Sequence, residues 1–221
     1  MAQELFAAIR DNDKEKVAQI IAANPALAHA RNEAGVSALM QARYGFRIEI
    51  VELLQHAVGE LDVFEAATLG DVLRLHALLV NDPRLAKTYS SDGFSALQLA
   101  AFFGQPASVE ALLQYAPDVN AISRNPMKVA VINAAAASRN LEVVKLVLQA
   151  GANPDAQQHA GYAALHEAAA NNNAELAKAL LNAGADPGVR TEAGLTAADM
   201  AREKGHTKIA EMLDAGKPPA A

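Results

Sequence analysis

One pattern in this chain returns at a fixed interval, and such an interval constrains a fold before any local propensity does. Gly161-Tyr162-Ala163-Ala164-Leu165-His166-Glu167-Ala168-Ala169 opens a stretch that continues through Leu176, Leu180 and Leu181 to Gly184-Ala185-Asp186-Pro187. At Gly194, 33 residues after Gly161, the stretch restarts with Leu195-Thr196-Ala197-Ala198-Asp199 and runs to Ile209, Met212 and Leu213. Upstream, the same frame fits residues 128–135 with 141–148, and Gly93 through Ala101 with Val109, Leu112 and Leu113. Further upstream it fits Gly59 through Ala67 with Leu78 and Leu79, then Gly35 through Ala42 with Leu53 and Leu54. A shortened first unit holds Leu5, Ala8, Val17, Ile20 and Ile21, so seven units, four of them complete, fill the chain from Leu5 to Leu213.

Within each unit the apolar residues fall at helical spacing in two short runs. Ser37, Ser95 and Thr196 stand where a hydroxyl caps the first helix by accepting backbone N–H bonds; Ala130 and Ala163 stand there in two other units and forgo about 1 kcal/mol each. Gly151 and Gly184 follow the second helix, where a left-handed residue ends it. The pairs Ala66-Ala67, Ala100-Ala101 and Ala168-Ala169 let neighbouring helices approach closely. A helix pair this short does not bury its apolar face alone, so the units must stack.

These residues resemble the ankyrin repeat: Gly-x-Thr-Pro-Leu-His-x-Ala-Ala, a second helix ending in paired leucines, then Gly-Ala-Asp-x-Asn. The resemblance implies an all-α solenoid of helix-turn-helix units with short β-hairpin finger loops and capping terminal units. The expected domain is single, over residues 1–216, in units 1–33, 34–57, 58–91, 92–124, 125–159, 160–192 and 193–216, with 217–221 a flexible tail. The chain departs from the pattern in several places. Gly35 and Gly59 are only 24 apart, which predicts a missing finger. Asn24-Pro25 and Asp82-Pro83 predict short helical turns, because proline suits the first position of a helix. The finger holding Arg124-Asn125-Pro126-Met127 is about two residues longer than its neighbours. These departures are similar to those of a bacterial type of ankyrin-repeat protein. Arg202, Glu203, Lys204 and Lys208 in the last unit, and residues 11–16 in the first, are polar as terminal caps must be.

Composition narrows the function. The net charge of −6, with the 19 Lys and Arg scattered, disfavours nucleic acid. No apolar run approaches the ~20 residues that span a bilayer, and residues 1–16 lack a signal-peptide pattern, so no membrane role and a cytoplasmic location are expected. The absence of Cys excludes disulfides, thiolate metal sites and a cysteine nucleophile. His166-Glu167 is followed by alanines, so the zinc-protease pattern fails, and His166 falls where the family places a structural histidine. Asp11, Asp13 and Glu15 lack the glycine and the twelfth-position Glu of a calcium loop. Neither a metal site nor a cofactor is expected, and the chain reads as a non-enzyme.

The resemblance implies that a protein or peptide partner lies in the concave groove of finger tips and first helices. Aromatic and arginine side chains are the usual anchors of interfaces, and the aromatics crowd between Tyr44 and Tyr115. The candidate partner-binding residues are Arg43, Tyr44, Tyr89, Phe94, Phe102, Phe103, Arg124, Gln158, Tyr162 and Asn171. A competing role for the aromatic cluster is core packing, with Phe64 filling the space of the missing finger. The alternative function is a small-ligand site or enzyme near residues 58–93, where Glu60, Asp62, Glu65 and His76 are the titratable groups. A regulator or inhibitor is the binding module with a consequence attached. The capped ends predict a monomer.

Overall fold

The computed structural model describes residues 1–215; the expected tail lies outside them. Fourteen α-helices follow one another in seven pairs: α1 (Ala2–Arg10) and α2 (Lys14–Ala23), α3 (Ala38–Tyr44) and α4 (Ile48–Val58), α5 (Val63–Leu69) and α6 (Val72–Asn81), α7 (Ala96–Phe102) and α8 (Pro106–Leu113), α9 (Val131–Ala137) and α10 (Leu141–Gln149), α11 (Ala164–Ala170) and α12 (Ala174–Asn182), α13 (Ala197–Glu203) and α14 (Thr207–Ala215). The odd-numbered helices form an inner layer and the even-numbered ones an outer layer. Inner helices of seven or so residues are too short to persist alone in water. They are held by neighbours, and their paired alanines lie fully buried where the layers meet. Leu54, Leu79, Leu112, Leu180 and Leu213, one from each of five outer helices, are likewise fully buried.

The expected caps form. Ser37, Ser95 and Thr196 each accept the N–H of the residue three positions on, at 3.2 Å. α9 and α11 begin at Ala130 and Ala163 without a hydroxyl cap. Both prolines open 3-10 turns, Pro25–His29 and Pro83–Lys87. Arg202, Glu203, Lys204 and Lys208 are all exposed on the last pair.

No strand is present among the described residues; four fingers close through single antiparallel bridges instead: Arg31 with Ser37, Tyr89 with Ser95, Ile122 with Ala130, and Arg190 with Thr196. The third spans two residues more than the others, as its sequence predicts. The finger before α11 is different and holds a 3-10 turn, His159–Gly161. Successive fingers touch through main-chain bonds. Arg124 N–H donates to Gly93 O at 2.8 Å, His159 N–H to Met127 O at 2.9 Å, and Glu192 N–H to Ala160 O at 3.0 Å. Gly93 permits the first of these contacts: it takes φ +86°, and a Cβ there would sit 2.9 Å from the Arg124 carbonyl carbon.

One step in the stack breaks the regularity. α4 passes through Gly59-Glu60-Leu61-Asp62 straight into α5, with no finger between. α3 and α5 are the one neighbouring inner pair whose backbones do not pack closely. Across the gap the finger before α3 meets the finger before α7: a Cβ on Gly35 would stand 2.7 Å from that of Ser91. The fingerless α5 is tied in by its own polar side chains. Asp62 caps it, and Glu65 reaches back to the Asp62 N–H at 3.1 Å while accepting the Ser37 hydroxyl at 2.6 Å.

Candidate partner-binding groove

A half-open groove of about 630 Å³ lies between the fingers and the inner face of α7, α9 and α11. Its walls are apolar because the fingers turn Phe94, Met127, Val129 and Tyr162 inward against Leu99 and Phe102. Its depth comes from Ala134 and Ala137, which leave α9 low between bulkier neighbours. Phe102 and Tyr162 are each 38% exposed there. Asp92 and Glu167 bring two carboxylates to the lining, and no Lys or Arg joins them. Asp92 accepts hydrogen bonds from the Tyr44 hydroxyl at 2.7 Å and from Ser90. Glu167 accepts from the Asn171 amide at 2.6 Å.

The third residues of α7 and α9, Gln98 and Asn133, line this floor. Gln98 accepts the Ser95 N–H at 2.8 Å and donates to Ala121 O at 3.1 Å and Val129 O at 2.6 Å, which fastens the next finger. His166 does the same two units on. It is fully buried, its Nδ1 accepts the Ala163 N–H at 3.1 Å, and its Nε2–H donates to Leu195 O at 3.2 Å. Burial disfavours the charged ring and holds its pKa below the usual histidine value. Asn133 occupies the same place in α9 and lines the groove, yet its Oδ1 has no hydrogen-bond partner.

Five of the ten residues proposed from sequence line the groove: Tyr44, Phe94, Phe102, Gln158 and Tyr162. Arg43 and Phe103 lie in an aromatic clamp that closes over the fingerless unit from α3 to α7. Phe103 stands 6.0 Å from the Tyr44 ring, 6.2 Å from Phe46 and 5.0 Å from Phe102, and the Arg43 guanidinium lies 4.5 Å over it. Burial lowers the Arg43 pKa, and burial together with the bond to Asp92 raises that of the Tyr44 phenol. Arg124 and Tyr89 form a separate pair, guanidinium over ring at 3.8 Å. Tyr89 does not line the main groove but faces two smaller depressions, one of which includes Phe64 and adjoins the groove at Tyr44 and Asp92. Asn171 lies in the turn after α11, bonded to Glu167 and to Arg139. Sequence reading missed Asn133; comparing the third helix residue from unit to unit marks the position as polar but not which side chain there lacks a partner.

Near residues 58–93 the four titratable groups do not share one cleft. Glu60 pairs with Arg74 at 3.1 Å and Asp62 with Arg31 at 3.0 Å, while Glu65 is buried in its cap and His76 is exposed on α6. Among the described residues no group of three or more His, Cys, Asp or Glu could hold a metal ion, and no helix is long and apolar enough to cross a membrane.

Comparison with known sequences agrees with this architecture. A family model described as ankyrin repeats (3 copies) matches residues 63–158 and 131–218. Over 95 residues, 42% of this chain, the sequence is 41% identical to a probable E3 ubiquitin-protein ligase XBOS31 of Oryza sativa subsp. japonica. That stretch covers 21% of the rice protein, so the chain spans about a fifth of the relative it matches.

Proposed function

We propose, from the premise that this chain belongs to the ankyrin-repeat family, that it is a protein-interaction module without catalytic chemistry of its own and that its partner lies in the groove between α7 and α11. Ankyrin repeats are in general protein-interaction modules; fold alone does not choose the surface, so the site must carry that part. The observation that carries it is the continuous apolar trough with Phe102 and Tyr162 partly open to solvent. Large rings at the centre of a concave surface are the anchors that interfaces use, since each buries much area with few rotatable bonds.

The test compares three proteins as bait in the source cell's lysate: the wild type, a Phe102→Asp/Tyr162→Asp variant, and a Leu73→Ser variant on the outer layer, where Leu73 is 87% exposed. Circular dichroism establishes that all three fold. A partner kept by the wild type and Leu73→Ser but lost by the groove variant supports the reading. A partner lost only with Leu73→Ser moves the interface to the outer layer and refutes it.

A further inference from the structure

We propose that the groove takes an extended, apolar and basic peptide segment, and that the Asn133 carboxamide reads the main chain of that segment. This rests on the interaction reading above and narrows its partner.

The third residue of the inner helix is polar in five successive units: Glu65, Gln98, Asn133, His166 and Asp199. Four of these side chains are occupied within the protein. Glu65, Gln98, His166 and Asp199 each accept the N–H at the start of their own helix. Gln98 and His166 also fasten the following finger. Asn133 does neither. It is one methylene shorter than Gln98 and is only 5% exposed, with its Oδ1 unpartnered. Buried carbonyl oxygens are nearly always paired, so an orphan at a groove floor calls for an outside partner. The finger that Asn133 would have fastened is the one that holds a 3-10 turn in place of a bridge.

A carboxamide offers one acceptor and two donors, the complement of a peptide group's N–H and C=O. Its soft terminal torsion lets it turn either edge toward the groove. A folded partner has already paired its main chain in helices and sheets, whereas an extended segment has it free. The dimensions agree. Packed helices lie about 10 Å apart, so the two steps from α7 to α11 span about 20 Å, the length of about six extended residues. Phe102, Tyr162, Met127 and Leu99 offer apolar walls to the side chains of such a segment. Asp92 and Glu167 accept only from neutral hydroxyl and amide groups, and neither forms an ion pair among the described residues. A groove with two carboxylates and no base favours Lys or Arg on what it binds.

The experiment selects from a phage-displayed library of random linear peptides on the intact chain. The best binder is then synthesised with single backbone N-methyl groups at each position in turn. Affinities are read by fluorescence polarisation against the wild type, Asn133→Ala and Asn133→Gln, with thermal melts to establish folding. Asn133→Gln is the second variant because Gln98 shows that a glutamine at this place is satisfied internally. The expected result is a selected motif that joins a large apolar residue to Lys or Arg. One N-methyl position weakens binding to the wild type by about three- to tenfold and leaves both variants unchanged. Glu167→Gln reduces the preference for the basic residue and flattens the salt dependence. Equal N-methyl penalties in all three proteins overturn the main-chain contact while leaving the groove as an interface. Selection of acidic motifs overturns the charge assignment. If no linear peptide is enriched over the Phe102→Asp/Tyr162→Asp protein, yet a lysate partner is still lost by that protein, the occupant is a folded surface and the proposal fails although the interaction reading survives.

Discussion

The two ends of the aromatic-rich region solve different problems with similar side chains. Between α3 and α7 a finger is absent, and Arg43, Tyr44, Phe46 and Phe103 close over the gap by ring contacts. Between α7 and α11 the fingers are present and joined edge to edge, Gln98 fastens the one before α9, His166 fastens the one just beyond α11, and Phe102, Phe94 and Tyr162 are left to line an open trough. Where the main chain supplies the scaffold, aromatic surface is free for a ligand; where it does not, aromatic surface becomes the scaffold. Adjacent Phe102 and Phe103 divide at the boundary between these two uses.

The fastened side breaks hardest. His166→Ala leaves the Ala163 N–H without its partner, removes one of the two hydrogen bonds to Leu195 C=O and opens a cavity in the core, which should cost roughly 2–4 kcal/mol in urea unfolding. His166→Gln keeps both bonds by the precedent of Gln98 and should lose much less. The pair also separates by pH. The folded pKa of His166 lies below its ordinary value, so the unfolded chain takes the proton first. Its contribution is full above about pH 7, and stability falls as pH drops below about 6.5 until the folded ring also titrates. Urea melts at pH 7.5 and 5.5 should show a larger loss for the wild type than for His166→Gln; equal losses would assign the pH dependence elsewhere.

The clamp should give a smaller, purely structural effect. Phe103 is half-buried against three rings and a guanidinium, so Phe103→Ala should cost about 2 kcal/mol, below the range for a fully buried phenylalanine. Phe102→Ala should cost under ~1 kcal/mol and weaken partner binding instead. If Phe102→Ala destabilises as much as Phe103→Ala, the division between scaffold and ligand surface is wrong.

The repeat made the fold legible because its signals are local. Cap hydroxyls, paired alanines, left-handed glycines and the prolines at 25 and 83 act within a few residues of themselves, and each appears where its spacing places it. The lost finger was legible too, as an interval of 24 between Gly35 and Gly59. Its consequence was not: that α3 would reach past α5 to α7 depends on how far two inner helices stand apart, which no spacing records. The groove was half legible for the same reason. Phe94, Phe102 and Tyr162 follow from repeat position, whereas Arg43 and Phe103 carry the same residue types into a contact set by tertiary geometry. Asn133 escaped notice because its distinction is a missing hydrogen bond, visible only beside Gln98 and His166.

The smallest expected effects sharpen the comparison by repairing each region at its own weak point. On the groove side, α9 starts at Ala130 with no side-chain cap. Ala130→Ser supplies the hydroxyl that Ser95 supplies one unit earlier and should stabilise by about 1 kcal/mol. On the clamp side, Phe46 holds φ +54° at the turn position where Asn12 and Asn172 stand in other units, and it is 65% exposed. A bulky residue in the left-handed region is strained, and asparagine tolerates that region better. Phe46→Asn relieves the strain but gives up the ring contact at 6.2 Å with Phe103. The two terms oppose, so the net change should stay within about 0.5 kcal/mol of zero. A loss well beyond 1 kcal/mol would show that Phe46 is a principal member of the clamp; a clear gain would mean that its strained, solvent-facing ring serves something other than stability.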